Sequence, residues 1–315
     1  MNAAGAFNQF LQALIVVAAA PLLVGWVNAC RAWLQNRRAP PLFQPYRVLR
    51  KLLQKDAVLA DNASWVFRFA PYVLFGCMWL AACIVPVLAT DLPFAQAADV
   101  IALVGVFAVA RVFISLAAMD TGTAFGTLGA RREMFIGALA EPALLIIFFN
   151  LSLISQSTSL NTIVETLAHR ELAIYPSLAF AAVAFVMVLL AENARIPVDN
   201  PATHLELTMV HEALILEYSA RHLALIEWAS ALKLFVYCAI GAACFLPWGI
   251  AEAGDLGALP LATFVAALKL VAAGAGLALL EAVSAKMRIF RVPEFVATAF
   301  LLAMLGLLLH FVIEV

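Results

Sequence analysis

Apolar residues gather along this chain in eight blocks of about twenty, and charge collects between them. The blocks fall at roughly 8–30, 66–90, 99–119, 134–154, 172–191, 223–247, 259–281 and 293–313. An α-helix needs about 20 mostly apolar residues to cross the hydrocarbon core of a bilayer. It also satisfies its own backbone hydrogen bonds, which lipid cannot do. The ten-residue alternating segments of a transmembrane barrel are missing. The pattern therefore predicts an all-α integral membrane protein, a single polytopic domain over residues 1–315 with about eight transmembrane helices.

The first polar connection reads RAWLQNRRAPPLFQPYRVLRKLLQKD. Pro40, Pro41 and Pro45 forbid a continuous helix early in it. From Tyr46 a helix becomes allowed. Tyr46, Leu49, Leu52 and Leu53 then share one face, and Arg47, Arg50, Lys51 and Lys55 fall largely on the other. That is the pattern of an amphipathic helix lying in the membrane interface. One reading of it is attraction to anionic lipid. The other is a docking platform for a partner.

Composition sharpens the class. Hydrophobic residues make up 65% of the 315, and charged ones only 12%. Soluble domains carry about a quarter of charged residues. The formal net charge of −1 decides little, but its distribution decides orientation. Fifteen of the 19 Lys and Arg lie in or beside four connections, at about 31–65, 120–133, 192–222 and 282–292. The positive-inside rule puts these loops in the cytoplasm and both termini on the outer side of a bacterial-type inner (plasma) membrane. Met1 to Phe10 has no basic region, so the first block reads as a retained span rather than a cleaved signal. No inverted repeat of the transporter kind is visible. The basic residues adjoin spans, so nucleic acid is not an expected partner; membrane lipid is.

Cys30, Cys77, Cys83, Cys238 and Cys244 all lie inside apolar blocks, and none forms a Cys-x-x-Cys pair. An iron–sulfur cluster needs about four converging thiolates. These cysteines read as small buried hydrophobes, and no cofactor or metal is expected in this chain.

The third charged connection, AENARIPVDNPATHLELTMVHEALILEYSARH, is the densest. It holds Glu192, Arg195, Asp199, His204, Glu206, His211, Glu212, Glu217, Arg221 and His222. Thr203 followed by Glu206 predicts a capping box and a helix running on from Thr203. Glu206, Val210, Ala213 and Glu217 would then share a face. His204 and His211 would stand about 10 Å apart along the axis, too far for one metal ion. His211-Glu212 lacks the second histidine of a zinc-protease helix. The group reads either as a solvated loop or as a water-filled polar cavity in which protons move.

Six charges fall within or near the ends of spans: Arg111, Glu141, Glu227, Lys233, Lys269 and Glu281. Each costs about 2.5–3.5 kcal/mol to insert, so such groups face a partner or a wet cavity. Interior ion pairs are one reading and a proton route is the other. Glu227 and Lys233, six residues apart, point to different sides of one helix and are not each other's partner.

Several stretches resemble a known family. Glu192-Asn-Ala-Arg195-Ile-Pro197-Val-Asp199, Glu206-Leu207 and Glu217-Tyr218-Ser219 resemble the third charged loop of the membrane-anchor subunit of respiratory complex I, the subunit 1 family. Asn36-Arg37-Arg38-Ala-Pro40, Gln44-Pro-Tyr-Arg47 and Lys51-Leu-Leu resemble its first loop. Asp120-Thr-Gly122, Phe125, Gly129-Ala130, Arg132-Glu133, Glu141-Pro142 and Arg288-Ile-Phe-Arg291-Val-Pro293 are similar to one branch, the membrane subunits of formate hydrogenlyase and other group 4 nickel–iron hydrogenases. Ala202 and His204 stand where the quinone-reducing branch carries further acids, and Ala39 replaces a glycine.

The resemblance implies a membrane-anchoring, proton-coupling subunit of an energy-converting hydrogenase complex with no catalytic site of its own. Its partners would be a small iron–sulfur subunit, a large hydrogenase-type catalytic subunit and antiporter-like membrane subunits. Iron–sulfur clusters and a nickel–iron centre would sit in those partners. Arg37, Arg38, Arg47, Arg195, Asp120, Arg132 and Glu133 would dock the peripheral arm. Glu141, Glu192, Asp199, Glu206, Glu212, Glu217, Lys233 and Arg111 would couple protons to redox chemistry. The alternatives are the quinone-site subunit of a complex I-like NADH dehydrogenase and a stand-alone ion or solute transporter. No quinone-binding residues can be assigned from the sequence.

Overall fold

A computed structural model describes residues 3–90, 99–169, 176–199, 209–250, 257–285 and 287–314. Helices are the regular structure among these residues, with a single isolated bridge between Asp99 and Ser159. In chain order the helices are α1 (Ala3–Leu34), α2 (Gln44–Leu53), α3 (Trp65–Ile84), α4 (Val100–Asp120), α5 (Ala124–Ser155), α6 (Leu160–His169), α7 (Pro176–Glu192), α8 (His211–Ile215), α9 (Ala220–Phe245), α10 (Leu259–Val283) and α11 (Val292–Leu309). Seven of them are long and apolar enough to cross a membrane: α1, α3, α4, α5, α9, α10 and α11 with its continuation to Ile313. The fifth predicted span appears as α7, apolar but 17 residues long where described. At 1.5 Å per residue it measures about 26 Å.

Local chemistry explains the element ends. Ser64 caps α3, its hydroxyl accepting from the Val66 amide at 3.1 Å, and Thr123 caps α5 through Gly126. Pro45, Pro260 and Pro293 stand in the first turns of α2, α10 and α11, where a missing N–H costs nothing. Gln156 stops α5 in the left-handed conformation, at φ 55°.

Lipid offers little hydrophobic drive between helices, so close packing of small residues holds them together. Ala81, Ala117, Ala140, Ala181, Ala299 and Ala303 are fully or almost fully buried at these crossings. A Cβ at Gly274 would lie 2.9 Å from the Trp26 ring, so α10 rides directly on α1. Across the bundle, α11 lies against α5 and α7.

At the end of the bundle away from α2, Gln12 is fully buried. Its amide donates to the carbonyls of Ala82 and Val85 and accepts from the amides of Val87 and Leu88. One side chain thus satisfies the backbone where α3 stops. The predicted second span ran to residue 90, but the helix ends at Ile84.

At the opposite, basic end, α2 begins at Gln44, two residues before the expected start. Leu49 is buried, Tyr46 and Leu52 are half-buried, and Arg47, Arg50 and Lys51 are exposed. Leu53, expected on the apolar face, is exposed instead. The Tyr46 hydroxyl donates to the Ala18 carbonyl of α1. The connection to α2 folds back on α1 at Gly25, where a Cβ would overlap the Leu42 carbonyl.

Two further expectations need correction. The connection predicted at 120–133 is mostly helix, because α5 starts at Ala124 and is 32 residues long. Small residues allow it: a Cβ at Gly126 would overlap the Ala118 carbonyl, and one at Gly129 would lie 2.8 Å from the Ala213 Cβ. Of the helix expected from Thr203, the described residues hold α8, five residues long; Met209 and Val210 precede it unwound, and Glu217 lies in the turn beyond. Glu217 therefore stands on no shared helical face; Thr203, His204 and Glu206 lie outside the described residues. The sequence reading also missed α6, whose Leu160, Ile163 and Val164 are buried while Asn161 donates to the Thr90 carbonyl.

Candidate functional site: a buried ion cluster beside a polar cavity

Arg111 is the hub of the site. It sits past the middle of α4 with its side chain 5% exposed. Its guanidinium meets three carboxylates from two other helices. Nε donates to Glu133 of α5 at 3.3 Å, Nη1 to Glu141 of α5, and Nη2 to Glu192 at the end of α7. The fork of five N–H donors is what lets one side chain serve three acceptors. Glycine makes the room. A Cβ at Gly137, one turn from both Glu133 and Glu141, would lie 2.6 Å from Arg111 Cδ and 2.7 Å from Cζ.

Lys233 of α9 completes the cluster, with Nζ 2.9 Å from the second oxygen of Glu192. Glu192 is thus shared between Arg111 and Lys233 and is almost completely buried. Tyr237, one turn along α9, stacks on Phe107 with ring centroids 5.0 Å apart. Counted at fixed charge, the cluster holds three carboxylates against two cations.

Toward the basic end the cluster continues to His211 of α8, whose Nδ1 lies 3.3 Å from Glu133 Oε2. The histidine is held through its backbone. Asp199 Oδ2 accepts from the amides of Val210 and His211 at 3.3 and 3.4 Å. Arg132 donates to the Met209 carbonyl at 2.8 Å. His211 also lines a cavity of about 950 Å³ between α1, α2, residues 193–199 and the start of α9. Arg31, Arg37 and Arg38 line it from α1 and the loop that follows; Glu212 and Glu227 line it from α8 and α9. Val24, Val48, Leu49, Ile215 and Leu216 supply apolar walls.

A second ionic knot closes the cavity near α10. Glu281, with its side chain 1% exposed, accepts from Arg195 at 3.2 Å and lies 3.5 Å from Arg31. It ties α1, the residues after α7 and α10 together. The 192–222 connection is further pinned at its far end. The Tyr218 ring stacks on Phe67 at 4.0 Å, and its hydroxyl donates to the Phe67 carbonyl at 3.0 Å. Burial, with the Asp120 carboxylate nearby, holds the Tyr218 hydroxyl well above the usual phenol range, so it stays a donor.

The expected site residues divide accordingly. Arg111, Glu141, Glu192 and Lys233 come together in one cluster. Asp199 stands beside it as the backbone anchor of His211. Glu212 lies on the cavity wall. Glu206 lies outside the described residues. Among the docking candidates, Arg37, Arg38 and Arg47 are exposed and make no ion pair among the described residues. Arg195, Arg132 and Asp120 are engaged within the chain, Asp120 Oδ2 accepting from the Ser64 amide at 2.7 Å. Glu133, expected at the docking surface, is buried against Arg111 instead. Glu227 and Lys233 are not partners: one faces the cavity and the other Glu192. The sequence reading did not single out His211 or Glu281 as site residues. Glycines and alanines at 126, 129, 130 and 137, flanking Glu133 on one face of α5, signalled its burial.

All five cysteines are free thiols, and the described residues bring together no three His, Cys, Asp or Glu side chains able to hold a metal ion.

Comparison with known proteins gives concordant findings. The family described as NADH dehydrogenase matches residues 8–312. Formate hydrogenlyase subunit 4 of Escherichia coli (strain K12) is 35% identical over 296 residues, covering 94% of this chain and 95% of that protein. Hydrogenase-4 component C of the same organism is 34% identical over 261 residues, covering 82% and 81%. Among solved structures, a chain of the membrane-bound sulfane sulfur reductase, an archaeal respiratory membrane complex, superposes with a TM-score of 0.83. It covers 96% of this chain and 99% of its own length at 20% identity, a likeness of fold.

Proposed function

Because this chain belongs to the NADH dehydrogenase family and is a complex I-like, multi-pass membrane subunit, we propose that it anchors and proton-couples an energy-converting hydrogenase complex of the formate hydrogenlyase kind. One observation carries the proposal. An unbroken series of ionic contacts runs from the cavity wall into the spans: His211 to Glu133, Glu133 to Arg111, Arg111 to Glu141 and Glu192, and Glu192 to Lys233. Intramembrane charges are costly and are kept where they carry ions or protons. A structural ion pair needs one partner per charge; this cluster spends four helices on five charges and opens on a cavity.

In this reading the basic end faces the cytoplasm. The exposed Arg37, Arg38 and Arg47, with the cavity rim, receive a small iron–sulfur subunit and a large catalytic subunit. Redox chemistry in those partners supplies the driving change at the cavity. The electron carriers, iron–sulfur clusters and a nickel–iron centre, belong to the partners. Antiporter-like subunits lie along the membrane flank. What this chain contributes is its own: Arg111 holds three carboxylates in reach of one another, Lys233 extends the row to α9, and Asp199 fixes the segment that closes it.

A second reading keeps support from the cavity itself. Its volume falls at the upper end of the range for small-molecule sites, and apolar walls meet a few polar groups there. A quinone headgroup fits that description. Val24, Val48 and Leu216 would hold its tail, while Arg38 and His211 offer donors for its oxygens.

Purification of the chain with its partners from native membranes in mild detergent separates the two. Nickel, iron and hydrogen evolution in the eluate establish the hydrogenase assignment. Iron with quinone reductase activity and no nickel establishes the other. Glu141→Gln should then leave the complex assembled but lower ion-coupled turnover; assembly with undiminished proton transfer would remove Glu141 from the route.

A further inference from the structure

Among the described residues, the cluster's fixed charges leave one carboxylate uncompensated: Glu133, Glu141 and Glu192 face two fixed cations, Arg111 and Lys233, with the titratable His211 beside Glu133. An unmatched charge at this depth is expensive. A single proton removes the excess. The group placed to exchange that proton with water is His211, the member of the series that both touches a cluster carboxylate and lines the cavity. We propose that His211 is the port through which one proton passes between the cavity and the buried cluster. The proposal rests on reading the cluster as a proton-coupling element and names its entry.

Geometry supports a port rather than a passive contact. The His211 side chain is 32% exposed, whereas that of Glu133 is 6% exposed. One ring nitrogen, Nδ1, faces Glu133 Oε2 at 3.3 Å. Imidazole has two nitrogens and titrates near neutral pH in general, so it can take a proton on one and give it from the other. Cavity water protonates Nε2, and the Nδ1 proton then passes to Glu133. Glu133 becomes a neutral acid and His211 is left neutral with its proton on Nε2; loss of that proton to cavity water and uptake of another at Nδ1 reset the tautomer. The transfer consumes only a proton. Arg111 then faces two ionised carboxylates in place of three.

The surroundings hold the ring at its post and set the charges around it. The Asp199 carboxylate and the Arg132 guanidinium fix residues 209–211 from either side. From α4, packed against α8, Arg111 reaches the same Glu133. Glu212 adjoins His211 in sequence, and Glu227 lines the same cavity from α9 with Arg31 on the α1 side.

Infrared difference spectroscopy on the complex, purified in mild detergent and taken through pH steps, tests the port. The parent should show a carboxylic-acid carbonyl band from the cluster that grows as pH falls. Glu133→Gln should remove part of it. In His211→Gln the final amplitude should persist, while the band should rise at least about tenfold more slowly. His211→Arg separates roles: it keeps a cation beside Glu133 but cannot release a proton, so it restores a merely structural contact and should remain slow. A band that rises at the parent rate in His211→Gln, or at that rate in His211→Arg, overturns the port. A parent complex without any pH-dependent band overturns the coupling reading beneath it.

Discussion

Replacing Arg111 with methionine removes the hub and keeps roughly its apolar bulk. Three carboxylates then share one cation, Lys233, and two of them, Glu133 and Glu192, have side chains no more than 6% exposed. Removing one partner of a buried ion pair costs about 3–5 kcal/mol. Glu141, 29% exposed at the side chain, is less enclosed and adds less. The unfolding equilibrium should therefore move by roughly two to four orders of magnitude. The six tryptophans permit a fluorescence titration with dodecyl sulfate in mixed micelles. The argument is electrostatic, so it also predicts a rescue. Adding Glu133→Gln restores the parent's excess of a single negative charge and spares the Lys233–Glu192 contact, and should recover more than half of the loss. An Arg111→Met variant within about 1 kcal/mol of the parent, or a double variant no more stable than the single one, would refute the charge count.

Two further outcomes follow from named contacts. Gly137→Ala should cost about 1–3 kcal/mol in the same titration, because the added methyl meets the Arg111 stem, whereas Gly76→Ala, with open space at its Cβ, should be close to neutral. Charge reversal of Arg37, Arg38 and Arg47 to Glu should release the peripheral subunits on purification; a complex that stays whole through high-salt washing would show that docking lies elsewhere.

Much of this architecture is legible from residues that depend only on their neighbours in sequence. Apolar runs announce the spans, and Pro45 with the basic–apolar alternation after it announces α2. Charges inside spans announce Arg111, Glu141 and Lys233 as groups in need of partners. Pairing is not local. Arg111 finds Glu192 81 residues later, and Glu281 finds Arg31 250 residues earlier; only the packing of helices brings them together. Fixing the end of α5 fails for a different reason. Arg131, Arg132 and Glu133 look like a polar loop, yet the helix begins upstream of them. Gly126 and Gly129 let it pass Ala118 and Ala213 at short range and bury Glu133. His211 read as one titratable group among many, because nothing in the sequence tells which titratable residue of a loop turns inward.

Position 25 has a consequence for the cavity. The loop bearing Arg37 and Arg38 hangs from α1 where the Leu42 carbonyl fills the space a side chain at Gly25 would take. The height of the arginine rim above the membrane interior is thus inherited from a missing methyl on the first helix. Any side chain at position 25 would jack the rim away from α1 and widen the aperture, however well the arginines themselves were preserved.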